Sequence, residues 1–224
     1  MRIVAEENHQ RTDQLLYVSP ISVSKIILGK YLAVLTLFGI GIAVISCYPL
    51  ILNAYGDNVR LALAYSSIIG FFLLGAANIS IGMFISSLTE SQVIAAVVSF
   101  ITLLLTFLLS SITSMLPSDA ISQCIMLAII WLAVCLVAYN MMHNITVTTV
   151  LAILGEAVIW ILYFVKSSLY EGLLTNVLNC LAISTRFEDF ELGILEYDAI
   201  MYYVSIAFLF VFLTVQNIKK KRFY

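Results

Sequence analysis

The stretch 60–88, RLALAYSSIIGFFLLGAANISIGMFISSL, contains a single charged residue, Arg60, at its first position. A membrane-spanning helix needs about 20 mostly apolar residues, because a rise of about 1.5 Å per residue has to cross about 30 Å of hydrocarbon. The stretch is apolar on every side of a helical projection, which excludes a helix with one face in water. It therefore predicts a transmembrane helix.

Five further stretches have the same character: 24–52, 91–116, 122–142, 147–165 and 199–217. None shows the alternation of apolar and polar residues that is typical of a membrane β-barrel. Residues that favour turns separate them, for example at 53–58 and 117–119. The sequence predicts an all-α polytopic membrane protein with six transmembrane helices in a domain at 24–217.

The composition of the whole chain agrees with this fold class. Of its 224 residues, 62% are hydrophobic and 11% are charged, whereas a soluble domain has about 25% charged residues. This excludes a soluble enzyme, and the net charge of −2 is too small to indicate a nucleic acid partner. The four cysteines have no CxxC spacing, so they favour buried free thiols over a disulfide or a metal site.

The basic residues predict the orientation in the membrane. Six spans place both termini on one side, together with eight of the eleven basic residues: Arg2, Arg11, Lys25, Lys30, Lys219, Lys220, Lys221 and Arg222. Because loops rich in Lys and Arg stay in the cytoplasm, we expect a multi-pass protein of the cell membrane with both termini cytoplasmic. The stretch 218–224 is then a basic cytoplasmic tail, and 166–198 is external.

Two segments are too polar to span the membrane. Segment 1–23 predicts a helix on the cytoplasmic surface, with Leu15 and Leu16 as its apolar edge and Pro20 at its end. In the external segment, leucine and valine recur with helical spacing over 169–181, which predicts an amphipathic helix. An acidic turn follows this helix, and its Phe187 and Phe190 are expected at the depth of the lipid headgroups.

Glu156 is the one carboxyl group within a predicted span. An intramembrane carboxylate is costly and is by default a hypothesis of function. Three interpretations stay open: a proton or substrate site, a hydrogen-bonded bridge between helices, and a side chain that faces a wet groove.

Both ends of the chain resemble permeases of the ABC type-2 exporter family, in its gliding-motility-like and nitrous-oxide-cluster-like branch. The first match consists of Glu6-Glu7, Thr12-Asp13-Gln14-Leu15-Leu16, Ser19-Pro20-Ile21-Ser22 and Ile26-Ile27-Leu28-Gly29-Lys30-Tyr31. The second consists of 184–190, Gly193-Ile194-Leu195, Tyr202-Tyr203, 210–215 and the terminal basic run. Between them, the chain agrees with the family only in hydropathy.

The resemblance implies a site and a set of partners. In the family, the first match is a cytoplasmic coupling helix that sits in a groove of a separate ATP-binding subunit. By resemblance, the residues facing that subunit are Glu6, Glu7, Thr12, Leu15, Leu16 and Pro20. The resemblance implies that the permease has no catalytic residue, no metal and no cofactor of its own, and in agreement with this the sequence has no GxxxxGK[ST] motif. ATP is bound by the partner, and a second permease copy or paralogue completes the pathway.

The chain departs from the family pattern in two ways. The family has two membrane helices before the coupling helix, whereas this sequence begins at the edge of that helix, which predicts an N-terminally truncated chain. The stretches 122–142 and 147–165 exceed the family's six-helix plan. The resemblance thus implies a longer variant.

Two other functions remain as alternatives. An ion-coupled secondary transporter would use Glu156, although paired broken helices in two similar halves are not evident. An intramembrane metalloprotease of the prenyl type fits the pattern E-E-x-x-x-R at Glu6, Glu7 and Arg11. That chemistry needs histidines on membrane helices, whereas His9 and His143 fall in predicted cytoplasmic segments.

Overall fold

The computed structural model describes residues 22–56, 60–89, 91–142, 145–167 and 170–223. Within these ranges the chain forms eight α-helices and no β-strand: α1 Val23–Tyr55, α2 Leu61–Leu88, α3 Gln92–Met115, α4 Ala120–Met142, α5 Ile145–Val165, α6 Leu173–Leu181, α7 Phe187–Glu191 and α8 Tyr197–Phe223. The predicted all-helical fold is confirmed for this part of the chain.

Four helices of the described chain are long and apolar enough to cross a membrane. They are α1, α2, α3 and the part of α8 over Tyr197–Lys220, whereas the qualifying stretches of α4 and α5 are shorter, at Ala120–Cys135 and Thr149–Phe164. The 33 residues of α1 extend over about 50 Å, which exceeds the hydrocarbon thickness of a bilayer. The protein is a multi-pass membrane protein, and the count of six spans stays a prediction.

The helices end where turn-forming residues stand in the sequence. Helix α1 ends before Gly56, and α3 ends two residues before Pro117. Helix α8, by contrast, continues through the stretch predicted as a separate tail, as far as Phe223. The physical reason is that lysine and arginine are good helix formers, so the basic run does not interrupt the helix.

The described residues divide into two compact units. One contains the residues as far as Phe107 together with those from Ile183 onward, and the other contains Leu108–Ala182. Helices α1, α2, α7 and α8 thus belong to the first unit, and α4, α5 and α6 belong to the second.

Glycines on α2 bring the helices of the first unit close together. A Cβ atom added at Gly70 would overlap the ring of Phe190 on α7, and one added at Gly75 would overlap the ring of Phe38 on α1. Small residues at helix contacts let membrane helices approach one another, because dispersion contacts then replace the missing hydrophobic driving force. Helix α2 therefore packs against α1, α7 and α8.

Two buried clusters form the core of the first unit. One joins the start of α1 to the end of α8 and consists of Val23, Ile27, Met83, Val211, Val215 and Ile218. The lysines Lys25, Lys30, Lys219 and Lys220 lie at the same end, which we call the basic end. The other cluster consists of Ala77, Ile81, Ile85, Ile183, Phe190, Ala199 and Tyr203, and it leads toward the α7 end.

The second unit is built on the pair α4 and α5. Cys124, Ile159 and Tyr170 form its buried cluster, with Trp131 and Tyr163 packed against it. Helix α6 begins only at Leu173, later than the predicted start at 169, because Gly172 has φ 71° and interrupts the helix.

Candidate functional site

The six residues predicted to face an ATP-binding subunit lie outside the described residues. They are Glu6, Glu7, Thr12, Leu15, Leu16 and Pro20. The described part of the chain begins at Ser22, near the end of segment 1–23, and α1 begins at Val23. The structure therefore gives the place where the segment joins the membrane helices.

The first turns of α1 are buried at the basic end. The side chain of Ile27 is only 2% exposed and lies with Val23 in the cluster that includes Met83 of α2 and Ile218 of α8. One turn further along, the hydroxyl of Tyr31 donates a hydrogen bond of 3.1 Å to the carbonyl oxygen of Ala76. The beginning of α1 is thus fixed to two other helices.

A polar contact joins α8 to the end of α2 at the same end of the unit. The amide Nδ2 of Asn217 donates to the backbone oxygen of Ser87 and to its Oγ, each at 3.0 Å. Sequence reasoning missed this residue. The available signal was an amide at the last residue of a predicted span and two residues before a basic run.

At the α7 end, hydroxyl groups hold α7 against α2. The hydroxyls of Ser66 and Ser67 donate to the carbonyl oxygen of Phe190 at 3.1 and 3.2 Å. The Phe190 side chain is 0% exposed, so it packs in the protein core, and its depth in the membrane stays a prediction. In addition, the Tyr203 hydroxyl donates to the carbonyl oxygen of Ile183 at 2.9 Å.

In the second unit, Gln123 connects three segments at the end where α4 begins. Its Nε2 donates to the backbone oxygen of Pro117 and to Oγ1 of Thr175, both at 2.8 Å, and its Oε1 accepts from the backbone N–H of Leu174 at 3.0 Å. The residue is 1% exposed. Its amide therefore holds both the connection before α4 and the first turn of α6.

Tyr170 makes a second connection at this end. Its hydroxyl donates to the carbonyl oxygen of Ile159 on α5 at 2.9 Å. Burial raises the pKa of the Tyr170 hydroxyl above its usual value, because the phenolate would lose its hydration. The hydroxyl therefore remains a donor at neutral pH.

Glu156 lies on α5, and its side chain is half-buried. Its Oε1 is buried without a hydrogen-bond partner among the described residues, and the same holds for the indole Nε1 of Trp131 on α4. The indole lies over Gly155, where an added Cβ would overlap it. An open apolar groove of about 690 Å³ borders Trp131 and Gly155.

A polar cavity of about 910 Å³ lies elsewhere in the second unit, with Asp119, Glu171 and three serines among its lining residues. Within the described ranges, however, no three His, Cys, Asp or Glu side chains come together as ligands for a metal ion. The described geometry thus offers buried helix contacts, polar connections and one isolated carboxyl group.

The comparison with known families identifies the chain. The family described as ABC-2 family transporter protein matches residues 1–215. No curated protein and no solved structure matches the chain significantly. A match of this extent, together with several long apolar helices, shows that the chain is a membrane permease of the ABC-2 transporter family.

Proposed function

We propose that this permease is the membrane-spanning subunit of an ATP-driven exporter of the gliding-motility-like and nitrous-oxide-cluster-like branch. It receives movement from a separate ATP-binding subunit through segment 1–23. The observation that carries this proposal is the burial of Val23 and Ile27 against α2 and α8, where that segment joins α1. A segment joined to a fixed helix start transmits a displacement, whereas one joined to a loose start absorbs it.

The contacts at the basic end support a rigid-body response. Helix α1 is joined to α2 through Tyr31 and to α8 through the buried cluster, and Asn217 joins α8 to α2. A push on the start of α1 therefore moves three helices together, and packed helices of this kind shift as units between discrete arrangements. Two permease copies, or this chain and a paralogue, would form the pathway between them.

The proposed topology has six spans, with both termini cytoplasmic and 166–198 external, in the cell membrane. Lys25, Lys30, Lys219 and Lys220 lie at one end of the first unit, which supports the cytoplasmic assignment of that end. In this scheme the permease holds no cofactor, ATP binds to the partner subunit, and nucleic acid has no part.

One observation favours a second candidate, an ion-coupled secondary transporter that uses Glu156. Its Oε1 is buried without a partner in the described part of the chain, and an isolated intramembrane carboxyl group is a candidate for proton binding. A proton relay across the membrane, however, needs further titratable groups near Glu156, and α5 contributes no other acidic residue.

Copurification from the native membrane tests the exporter proposal. The tagged permease is isolated in mild detergent, and ATP hydrolysis of the isolate is measured while a protein with Walker motifs is sought by mass spectrometry. We expect Leu15→Asp and Leu16→Asp to remove this subunit, because a buried unpaired charge costs several kcal/mol. Gln10→Asp, which adds the same charge away from the apolar edge, is the matched control.

Two results would contradict the proposal. One is an isolate that never contains a Walker-motif protein or ATP hydrolysis. The other is an equal amount of that protein with Leu15→Asp and with Gln10→Asp. Equal membrane levels of the permease variants, measured by immunoblot, ensure that the comparison concerns binding.

A further inference from the structure

A narrow apolar groove runs along the first unit between α1, α2 and α8. Its cavity volume is about 320 Å³, and its wall includes Leu28 and Leu35 of α1, Ala76 of α2, and Ala207 and Val211 of α8. The only hydroxyl groups on its wall, those of Tyr31 and Tyr203, are already used in hydrogen bonds to backbone oxygens. The groove therefore suits a hydrocarbon and offers a polar ligand no free donor.

The shape of the groove selects among apolar occupants. It extends from Leu28 to Leu35, about 11 Å along α1, so its mean cross-section is about 30 Å². A helix about 10 Å across needs about 80 Å². An extended acyl chain, whose carbon atoms touch their neighbours at about 4 Å, needs only about 20 Å². A single acyl chain fits, and a helix of a second copy does not.

The groove opens toward the surroundings rather than into the core. Phe208 on its rim is 74% exposed, and Leu28 and Val204 are exposed as well, whereas Tyr203 and Val211 behind them are buried. In a membrane protein such a rim faces lipid, so an acyl chain has direct access from the bilayer.

Positive charge lies one helical turn from the groove. Val23 and Ile218 belong to one cluster, so the neighbouring Lys25 and Lys219 lie at the same level at the basic end. Leu28 begins the groove about 4.5 Å further along α1. Lysine side chains near helix ends extend toward the headgroup layer, and among the described residues of the first unit the acidic side chains follow Ile183 at the other end.

We propose that this groove and the adjacent lysines form a binding site for one anionic phospholipid. One acyl chain lies between α1 and α8, over Ala76 and Ala207, and the phosphate lies between Lys25 and Lys219. We expect an anionic headgroup because both lysines are positively charged, and a basic segment at the membrane surface attracts anionic lipid. The proposal goes beyond coupling to an ATP-binding subunit and does not depend on it.

Native mass spectrometry of the purified full chain tests the groove. The chain is incubated with phosphatidylglycerol or with phosphatidylcholine of identical acyl chains, and bound lipid is counted. We expect one phosphatidylglycerol with at least fivefold higher occupancy than phosphatidylcholine. Ala207→Leu, which fills the groove, should lower the occupancy of both lipids at least fivefold. Ala33→Leu, on an exposed part of α1 outside the groove, should leave it unchanged.

The charge part of the proposal has its own pair of variants. Lys25→Gln combined with Lys219→Gln should reduce the preference for phosphatidylglycerol to less than twofold. Arg60→Gln removes a positive charge at the start of α2 and should preserve the preference. Equal binding of the two lipids by the unmodified chain would overturn the proposal, and so would equal occupancy in Ala207→Leu and Ala33→Leu.

Photolabelling of the unmodified chain avoids any dependence on how the variants fold. A phosphatidylglycerol with a diazirine in its acyl chain is incorporated into nanodiscs, and labelled residues are identified by mass spectrometry. We expect labels concentrated at 28–35 and 203–211. Labels of equal intensity at the exposed Leu37 and Val44 would overturn a specific site. Labels at those residues without any in the groove would show a protein partner covering it, which would also overturn the proposal.

Discussion

The two units of this permease pack their helices in different ways. In the first unit, Gly70 receives the ring of Phe190, which is fully buried, and two serine hydroxyls donate to the backbone carbonyl oxygen of Phe190. In the second unit, Gly155 receives the ring of Trp131, whose indole N–H has no partner among the described residues and which borders an open groove of about 690 Å³. We therefore infer that the ring packed on the glycine is fixed in the first unit, whereas in the second unit it has space to move.

The hydrogen bonds that connect helices are also distributed differently in the two units. In the first unit they are spread along the helices, from Asn217 at the basic end through Tyr31 to Ser66 at the α7 end. In the second they are concentrated where α4 begins, at Gln123 and Tyr170. The first unit is thus suited to transmit a displacement as one body, whereas the second depends on a few residues at one end.

Gly70→Ala is expected to have the largest effect. The added Cβ overlaps the Phe190 ring, which is enclosed and has no space to move into, so we expect a loss of about 3 kcal/mol in the free energy of unfolding. Gly155→Ala should cost about 1 kcal/mol or less, because Trp131 has the adjacent groove to move into. Thermal unfolding of the purified variants, followed by size-exclusion fluorescence, measures both.

Gly41→Ala is the matched control, since an added Cβ there meets nothing within 4 Å. It should be neutral or slightly stabilising, because alanine has the higher helix propensity. If Gly155→Ala destabilised the protein as much as Gly70→Ala, the distinction between a fixed and an adjustable unit would be lost.

Gln123→Leu should have the next largest effect, and it should be confined to the second unit. The change removes three hydrogen bonds and leaves the buried backbone N–H of Leu174 without its acceptor, which costs about 2 kcal/mol. Hydrogen exchange should show faster exchange over 170–181 and unchanged exchange over α1 and α2. The exposed Gln216→Leu is the control, and faster exchange throughout the chain would argue against a local role.

The sequence predicted the helices far better than their contacts. Apolar runs and the turn residues near Gly56 and Pro117 indicate where helices begin and end, since these depend on neighbours along the chain. Gln123 and Asn217 escaped notice because their partners lie 51 and 130 residues away, and sequence alone does not say which helices meet. The burial of Phe190 escaped notice for the same reason, because the glycine that receives its ring lies on another helix.

Tyr170→Phe should have a smaller effect, of about 1 kcal/mol, because it removes one hydrogen bond and keeps the ring packing. The effect should also depend on pH. Burial raises the pKa of this hydroxyl above that in the unfolded chain, so its contribution is complete below about pH 10 and is lost as the pH rises through the folded-state pKa.

Melting temperatures of the two proteins between pH 7 and 11 test this. The difference between the unmodified chain and Tyr170→Phe should be constant to about pH 10 and then decrease. Tyr55→Phe, at an exposed tyrosine, controls for general alkaline effects. A difference that grew with pH would contradict the assigned hydrogen bond.

Glu156→Gln should have the smallest effect, and it separates the exporter from an ion-coupled transporter. Under the exporter proposal the carboxyl group carries no proton across the membrane, and glutamine keeps an acceptor oxygen while adding an amide donor. We expect ATP hydrolysis by the reconstituted permease and its ATP-binding subunit to change less than tenfold, or about 1.4 kcal/mol at most in the barrier. The adjustable packing around Gly155 should absorb the difference in shape.

The ion-coupled alternative demands the opposite result. Vesicles that contain the permease alone, loaded with a pH-sensitive dye, would then show proton movement without ATP, and Glu156→Gln would abolish it because α5 offers no other carboxyl group. Glu156→Leu tests the remaining interpretation, a bridge between helices through the other carboxyl oxygen: loss of such a hydrogen bond would lower stability by about 0.6–2 kcal/mol without affecting a gradient. Proton movement that does not require ATP and is abolished by Glu156→Gln would contradict the exporter proposal. It would assign transport to the second unit, in which Glu156 lies.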